Sequence, residues 1–224
     1  MSASPETPRL VVFASGRGSN FLSLIEAVRS GRLPVRIAAL FSDRPGCAAV
    51  AAARELGIPA VALRPRDFAD RAGFDRALFA ELAAFEPDLL VLAGFLRILD
   101  PAVLEPWTGR IVNIHPSLLP LYPGLDTHRR AIEAGDARHG ASVHFVGAEL
   151  DAGPVIAQAS IAIAADDTPE TLAARLLPEE HRLLPAVVDL IARGRITLDG
   201  AAVRLDGRPL AHPLQLHEAG LTLA

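Results

Sequence analysis

An asparagine and a histidine lie two residues apart where an apolar run gives way to prolines. The run Arg110-Ile111-Val112 is typical of the end of a buried strand, and it continues into Asn113-Ile114-His115-Pro116-Ser117-Leu118-Leu119-Pro120. On a strand, Asn113 and His115 point to the same side because side chains alternate between the two faces. The prolines end the strand and predict a rigid loop. The sequence therefore places an amide and an imidazole together at the carboxyl end of a strand, where open α/β sheets bind ligands.

These two side chains suit acyl chemistry. Histidine changes its charge near neutral pH, and asparagine offers both a donor and an acceptor, so one group can move a proton while the other holds an oxyanion. A lone histidine in this place is more often a hydrogen-bonded core residue. Likewise, Asp151, which precedes Gly153-Pro154, could simply cap its own backbone. The neighbouring motifs must decide between these interpretations.

Several separated motifs resemble, in order, those of the enzymes that take a formyl group from 10-formyltetrahydrofolate. They are the Asn-x-His-Pro-Ser-Leu-Leu-Pro stretch at 113–120, Tyr-Pro-Gly-Leu-Asp-Thr-His at 122–128, Gly-Ala-Ser-Val-His-Phe-Val at 140–146 and Glu-Leu-Asp-Ala-Gly-Pro-Val-Ile at 149–156. The resemblance runs from about Arg9 to near Arg193. Ordered motifs of this kind are far more specific than any one of them.

The resemblance implies three catalytic residues and a reaction. Asn113 and a cationic His115 would stabilise the oxyanion of a tetrahedral intermediate, and Asp151 would pair with the histidine, because a carboxylate within about 4–6 Å favours the imidazolium. The motifs are most similar to those of the enzymes of purine biosynthesis that formylate the amine of N1-(5-phosphoribosyl)glycinamide by direct attack. Relatives with a different acceptor, namely methionyl-tRNA, an amino sugar or water, are the alternative.

The loop Ser15-Gly16-Arg17-Gly18-Ser19-Asn20 lies between the first predicted strand and the first predicted helix. Glycines allow close approach of a ligand, and the free N–H groups of a helix start attract anions. The pattern is neither a complete dinucleotide fingerprint nor a Walker loop, so a turn without a ligand is equally compatible with it. The resemblance assigns Gly18, Ser19 and Asn20 to binding of the substrate phosphate.

The resemblance also assigns residues to the other substrate groups. Those expected to bind the folate are Arg71, Leu96, Arg97, Ile98, Leu99 and Asn113. Glu180 is expected near the glycinamide, with Glu179 as the alternative because the alignment allows a slip of one residue. His128 and His144 are expected to border the site without an assigned role, and Asp126 stands where some relatives carry histidine.

Composition limits the class of protein. The chain has 224 residues, 50% of them hydrophobic, and a formal net charge of -4 with a pI near 6.0. These values favour one globular domain over a nucleic-acid binder that relies on phosphate neutralisation. A single cysteine, Cys47, excludes an internal disulfide and a cysteine-based zinc site. We expect a cytoplasmic monomer or homodimer with two small-molecule substrates, no membrane contact, no metal and 10-formyltetrahydrofolate as co-substrate rather than a resident cofactor.

Strand and helix patterns alternate along most of the chain. Predicted strands cover residues 10–14, 35–41, 59–63, 89–93, 109–114, 142–146 and 155–163, and predicted helices cover 19–29, 48–56, 74–85, 127–134 and 169–192. The alternation predicts a single-domain α/β fold, a mainly parallel twisted sheet with helices on both faces and antiparallel strands added in the C-terminal half. Pro178 predicts a kink or break in the last helix.

The predicted domain layout has three parts. Residues 1–8 form a disordered lead, and residues 9–193 form the formyltransferase domain, with the phosphate-binding half first and the catalytic and folate-binding half second. Residues 194–224 form a tail that packs on the same domain, with a hairpin around Asp199-Gly200.

Overall fold

The computed structural model describes residues 7–223 of the chain. Most of the predicted disordered lead, residues 1–6, therefore lies outside the described residues. At the end of that lead, the Pro8 carbonyl accepts a hydrogen bond of 2.9 Å from the backbone N–H of Arg36. The chain is thus already paired with a neighbouring strand before Arg9.

Within residues 7–223, nine strands form one sheet and three short strands form a second. The large sheet contains β1 (Arg9–Phe13), β2 (Arg36–Ser42), β3 (Ala60–Ala62), β4 (Leu89–Leu92), β5 (Ile111–His115), β6 (Arg138–Phe145), β7 (Val155–Ala162), β11 (Leu214–His217) and β12 (Gly220–Thr222). The small sheet contains β8 (Ile196–Asp199), β9 (Ala202–Leu205) and β10 (Arg208–Pro209). The order in the large sheet is β12-β11-β7-β6-β5-β4-β1-β2-β3.

The helices cover both faces of the large sheet. They are α1 (Ser19–Arg29), α2 (Ala48–Glu55), α3 (Arg71–Ala80), α4 (Pro101–Leu104), α5 (Thr127–Glu133) and α6 (Pro169–Ala192). Buried residues of α1, α2 and α6 pack on one face, and those of α3 and α4 pack on the other. Strands β1 to β5 are parallel, whereas β6 pairs antiparallel with both β5 and β7. The predicted fold class is confirmed.

Strand order creates a crevice at the carboxyl ends of β1 and β4. β1 lies between β2 and β4, so the connections after β1 and β4 leave in different directions, and this is where open α/β sheets bind ligands. Ser15, which is fully buried, joins the two connections. Its N–H donates to the Gly94 carbonyl at 3.0 Å, and its Oγ accepts from the N–H of Leu96 at 2.9 Å.

The sequence predicts a kink or a break at Pro178, and α6 has no break there. Residues 169–192 are helical, and Pro185 also lies inside the helix. A proline in a helix interior costs about 3 kcal/mol. Fully buried leucines on both sides of Pro178, such as Leu176 and Leu183, each stabilise the fold by about 1.5–3 kcal/mol. Burial of the apolar face therefore outweighs the lost hydrogen bond.

Side-chain caps fix the starts of α6 and α3, as Asp100 does for α4. Thr168 accepts a hydrogen bond from the N–H of Thr171, which begins α6, in agreement with the capping candidates that the sequence offers. Asp70 accepts from the N–H of Gly73 at 2.6 Å, so α3 begins at Arg71, three residues before the predicted start at Phe74. Its predicted last turn is a separate 3₁₀ turn, Glu81–Ala84.

The C-terminal tail packs against the domain in two ways. β8 and β9 form an antiparallel pair, with Asp199 opposite Ala202. Farther on, β11 pairs parallel with β7, and β12 pairs antiparallel with β11. These last strands extend the large sheet. They are not predicted from the sequence, because runs of three or four residues are too short to give a clear strand signal.

Gly153 marks a close approach between the end of β6 and the turn that follows it. A Cβ at this position would lie 1.8 Å from the carbonyl oxygen of Phe145. Such a contact requires the backbone to shift, so only glycine allows this packing. The same turn carries Asp151, two residues earlier.

We expect Gly153→Ala to lower the free energy of unfolding by about 1–3 kcal/mol, as overpacking does. Gly147→Ala is the matched control, since a Cβ there would meet nothing within 4 Å, and it should change stability by about 0.5 kcal/mol or less. Urea unfolding of both purified variants measures this. Equal stabilities would show that the turn has more room than its geometry indicates.

Candidate active site

Strand β5 brings two polar side chains to the carboxyl edge of the sheet. Asn113 and His115 alternate with Val112 and Ile114, which are buried in the core on the other face. In the antiparallel pairing with β6, Asn113 lies opposite His144. The three polar side chains therefore share one face of the sheet.

Both ring nitrogens of His115 face oxygen atoms that act as acceptors. Nε2 lies 2.9 Å from the carbonyl oxygen of Tyr122, and Nδ1 lies 3.4 Å from Oδ2 of Asp151. A neutral imidazole carries a proton on only one nitrogen, so it would turn a lone pair towards one of these oxygens. The surroundings therefore match the imidazolium form of His115.

The loop that carries the Tyr122 carbonyl is anchored on β6 and β7. Oγ of Ser142 accepts from the N–H of Leu119 at 3.0 Å, and Nε2 of Gln158 donates to the Leu119 carbonyl at 2.9 Å. Within the loop, Oγ of Ser117 donates to the Leu121 carbonyl at 2.6 Å. These bonds fix the path of the loop and hence the carbonyl that faces His115.

Asp151 reaches across the site rather than capping its own turn. Its Oδ2 accepts a hydrogen bond of 2.8 Å from the N–H of Gly124, and its Oδ1 lies 3.5 Å from Nδ2 of Asn113. The residue has a φ of 51°, an uncommon conformation for a residue other than glycine. The turn between β6 and β7 thus directs the carboxylate towards β5.

His144 is a third member of the cluster, for which the sequence offered no role. Its Nδ1 lies 2.8 Å from the carbonyl oxygen of Phe145, so this nitrogen carries the proton. Burial lowers the pKa of His144, and the charge of His115 acts in the same direction, while the Phe145 carbonyl and Asp151 oppose the shift. The ring is therefore neutral at neutral pH, and its Nε2 presents a lone pair.

That lone pair sets the orientation of the Asn113 amide. Nδ2 of Asn113 lies 3.1 Å from Nε2 of His144 and faces Oδ1 of Asp151 on its other side. The reverse orientation would turn the amide oxygen towards two acceptors. One Nδ2 hydrogen is therefore bound to His144, and the second, in a long contact of 3.5 Å, is available to a ligand.

A cleft of about 500 Å³ opens in front of this cluster. Its rim carries unusually exposed aliphatic side chains, with exposed fractions of 59% for Leu96, 50% for Ile98, 73% for Leu125 and 49% for Leu150. Exposed apolar groups around a concave polar site favour a ligand with an apolar part. The predicted folate segment, residues 96–99, forms one wall of this cleft.

The Arg97 side chain in that wall packs against an aromatic ring of α3. Its guanidinium lies 4.6 Å from the centre of the Phe74 ring, within the range of a cation–π contact. Asp75 is fully buried, and burial raises the pKa of Asp75 while Arg97 and Arg71 partly oppose the shift. Oδ2 of Asp75 accepts from the N–H of Asp100 at 2.8 Å, which fixes the end of the folate segment.

The structure does not place Arg71 in the cleft wall. Arg71 is the exposed first residue of α3 and is absent from the residues that line the cleft. Its charge acts on the buried Asp75 behind the folate segment. Its expected contact with the folate stays a prediction.

The predicted phosphate loop has the shape that its glycines suggested. Gly18 precedes α1 with a φ of 76°, and a Cβ at this position would lie 2.7 Å from Cβ of Ala49. Glycine is thus required both for the left-handed conformation and for contact with α2. α1 begins at Ser19 with no side-chain cap, so its first N–H groups are free to bind an anion.

The Asn20 side chain has a partner that the sequence did not predict. Its Nδ2 donates to Oε2 of Glu180 at 2.8 Å, and both residues are buried. Asn20 therefore offers its backbone N–H, but not this amide group, to a phosphate. Burial raises the pKa of Glu180, and Asn20 and Arg17 partly oppose that shift.

The same contact distinguishes the two glutamates that the sequence left open. Glu180 lies beside the phosphate loop, whereas Glu179 forms a surface ion pair of 2.8 Å with Arg182. Geometry therefore favours Glu180 as the residue near a substrate.

Two further histidines lie in or behind the wall of the cleft. His128 lines it, and His139 lies behind His128 with ring centres 4.8 Å apart. Burial lowers the pKa of both, that of His139 to about 4. Asp126 lies on the cleft edge, where it forms an exposed ion pair with Arg129.

Residues 7–223 offer neither a metal site nor a membrane-spanning helix. They contain no group of three or more His, Cys, Asp and Glu side chains that could hold a metal ion. None of their helices combines the length and the apolar composition needed to cross a membrane.

Known proteins are similar to this chain in both sequence and fold. Residues 8–188 match the formyl transferase family. The chain is 44% identical over 201 residues to phosphoribosylglycinamide formyltransferase of Escherichia coli K12, covering 90% of this chain and 95% of that protein. It is 36% identical over 190 residues to the human trifunctional purine biosynthetic protein adenosine-3, covering 85% of this chain and 19% of that protein.

Solved structures agree with the sequence matches. Phosphoribosylglycinamide formyltransferase of Coxiella burnetii is 42% identical with a TM-score of 0.87, covering 92% of this chain and 97% of that one. A formyltetrahydrofolate deformylase of Pseudomonas syringae is 23% identical with a TM-score of 0.83, covering 90% of this chain and 66% of that one, and shows the fold alone.

The buried His139 generates a prediction about acid stability. Its folded pKa is about 4, below the ordinary value of 6.5, so the unfolded chain binds a proton that the folded chain does not. The free energy of unfolding should therefore fall as the pH falls from 6.5 to about 4. This residue alone should contribute a slope of up to about 1.4 kcal/mol per pH unit.

Urea unfolding between about pH 4 and 7.5 measures that slope in wild type, His139→Gln and the control His217→Gln, which alters an exposed histidine. In the His139 variant the slope of unfolding free energy against pH should be smaller by up to about 1.4 kcal/mol per pH unit. The control should have the wild-type slope. Identical slopes in all three proteins would contradict the assignment.

Proposed function

The chain belongs to the formyl transferase family, and we propose that it transfers the formyl group of 10-formyltetrahydrofolate to the amine of N1-(5-phosphoribosyl)glycinamide in purine biosynthesis. The observation that carries this proposal is the cluster of Asn113, His115 and Asp151 in the wall of the cleft. The Escherichia coli relative that is named for this step is 44% identical over nearly its full length.

The proposed reaction is a direct attack. The lone pair of the glycinamide amine forms a bond to the formyl carbon, and the C=O π electrons move onto the oxygen. The tetrahedral intermediate collapses by breaking the bond to N10 of the folate. Over these steps the attacking nitrogen loses a proton and N10 gains one, so no covalent enzyme intermediate and no redox partner are needed.

His115 supports the intermediate as an imidazolium in this proposal. Its Nε2 lies 2.9 Å from the Tyr122 carbonyl oxygen in the free protein. A developing oxyanion accepts a charge-assisted hydrogen bond about twice as strong as one to a neutral carbonyl. The oxyanion can therefore take over this donor as charge develops, which favours the transition state over the ground state.

Asn113 supplies the second donor to the oxyanion. Its long contact with Asp151 leaves one Nδ2 hydrogen available, while His144 holds the other. Because the amide is already oriented, it needs little reorganisation when the oxyanion forms. Asp151 would keep His115 charged and correctly placed.

The substrates would occupy the two sides of this cluster. The folate ring would lie against residues 96–99 beneath the exposed rim of the cleft, with its polar edge on backbone groups. The ribotide phosphate would bind the free N–H groups of Gly18, Ser19 and Asn20. Glu180, beside that loop, would contact the glycinamide or the ribose.

The test of acceptor choice is a single set of assays. Purified protein with 10-formyltetrahydrofolate is given glycinamide ribotide, methionyl-tRNA, an amino sugar or no acceptor, and loss of the formyl group is followed by absorbance. We expect turnover when glycinamide ribotide is the acceptor and no turnover in the other three conditions. Turnover without an acceptor would instead indicate a hydrolase.

His115→Ala should lower kcat by roughly 10²–10⁴-fold, the loss typical of a general acid, while the protein stays folded. His217→Ala, which alters an exposed histidine on β11, is the control and should keep wild-type kcat. Steady-state kinetics and circular dichroism on both variants measure this. A His115 variant with normal turnover would remove the residue from the mechanism.

Glu180→Gln should raise the KM for the ribotide about tenfold, the effect of losing one charged hydrogen bond. The KM for the folate should hardly change, because the side-chain amide oxygen introduced by this substitution can still accept from Asn20 and hold the loop. Glu179→Gln is the matched control one residue away and should behave as wild type. Equal effects on both substrates would mean that Glu180 only supports the fold.

A further inference from the structure

A second cleft opens on the other side of the Ser15 connection, outside the proposed reaction site. It has a volume of about 700 Å³ and is formed by the segments that follow three parallel strands, residues 15–17 after β1, 43–48 after β2 and 64–66 after β3. Four arginine side chains line it: Arg17, Arg44, Arg64 and Arg66. We call it the arginine cleft. None of the residues proposed for catalysis or folate binding lines it.

The arginines of this cleft are poorly neutralised. Among residues 7–223, the one ion pair that any of them forms is the marginal contact of 4.0 Å between Nε of Arg44 and Oδ2 of Asp43. The whole chain carries a formal net charge of -4. Four cations around one concavity in an acidic protein concentrate positive potential there and favour an anionic ligand.

Asp43 indicates that a ligand of this cleft would carry hydrogen-bond donors as well as negative charge. It lies in the arginine cleft, is 7% exposed, and its Oδ1 is buried with no hydrogen-bond partner in the described part of the chain. A buried carboxylate oxygen without a donor is rare and costly. A simple polyanion would be repelled by Asp43, whereas a ligand with hydroxyl groups would supply the missing donor.

The position of Asp43 in the fold indicates which hydroxyl groups those are. It directly follows Ser42, the last residue of β2, beside the glycine-containing connection after β1. In dinucleotide-binding sheets, an acidic residue about 20 positions after the glycine-rich turn binds ribose hydroxyl groups. In this cleft the arginines that follow β2 and β3, rather than the start of α1, would hold the phosphate. The carboxylate and the arginines therefore fit the two ends of one ligand.

We propose that the arginine cleft is a second binding site, for a ribonucleoside 5′-phosphate, with Asp43 on the ribose hydroxyl groups and Arg44, Arg64 and Arg66 around the phosphate. The proposal goes beyond formyl transfer and does not depend on it. The glycinamide ribotide also carries a ribose and a phosphate, so the test must separate the two sites.

The experiment is titration calorimetry of the full chain with AMP as the probe, beside 2′,3′-dideoxy-AMP and inorganic phosphate. AMP should bind at least about tenfold more tightly than either comparison ligand, as expected for the loss of hydrogen bonds to a charged group. Saturating glycinamide ribotide should leave AMP binding intact. Displacement of AMP by the ribotide would overturn the proposal, because the cleft would then belong to the acceptor site.

Two sets of variants test separately which residues bind the phosphate and which bind the ribose of AMP. Arg64→Ala with Arg66→Ala, both exposed side chains, should weaken AMP about tenfold or more, whereas the exposed control Arg208→Ala should not. Asp43→Asn should bring AMP and its dideoxy form to similar affinities. No binding of AMP at about 1 mM, equal binding of the dideoxy form by wild type, or an unchanged affinity in the double variant would each overturn the proposal.

Discussion

The carboxylate of Asp151 is the group on which the arrangement of the proposed active site depends. It lies 3.4 Å from Nδ1 of His115, 3.8 Å from Nε2 of His144 and 2.8 Å from the N–H of Gly124. Two histidines thus share one carboxylate, yet their surroundings favour opposite protonation states. His115 faces two acceptors, whereas His144 uses its single proton on the Phe145 carbonyl. The different hydrogen-bond partners, rather than the shared charge, separate the two roles.

Placing that carboxylate imposes demands on the rest of the fold. The turn between β6 and β7 must bring Asp151 back over β5, and it does so with a left-handed residue at 151 and a glycine at 153 that no other residue could replace without a shift. The loop after β5 must also hold the Tyr122 carbonyl against His115. Ser142 and Gln158, on the neighbouring strands, bind that loop. The antiparallel strands added beyond β5 are therefore part of the site as well as part of the sheet.

Much of the fold was predictable because its signals are local. The alternation of short apolar runs and helical patterns predicts β1 to β5, and the spacing of Asn113 and His115 with the following prolines predicts where the strand ends. Contacts between distant residues were not predictable in this way. The Asn20–Glu180 bond joins residues 160 positions apart, and the role of His144 depends on the register of β5 against β6. The predicted break at Pro178 does not occur, because the burial of an entire helix face outweighs the local effect of a proline.

The most direct test of the proposed active site is the number of protons carried by the rings of His115 and His144. Two-dimensional ¹H–¹⁵N NMR of the seven ring-labelled histidines counts these protons, because protonated and unprotonated ring nitrogens differ widely in ¹⁵N chemical shift. Signals are assigned with His115→Ala and His144→Gln variants. We expect two protonated nitrogens in His115 and one, Nδ1, in His144. A neutral His115, or a His144 protonated at Nε2, would contradict this assignment.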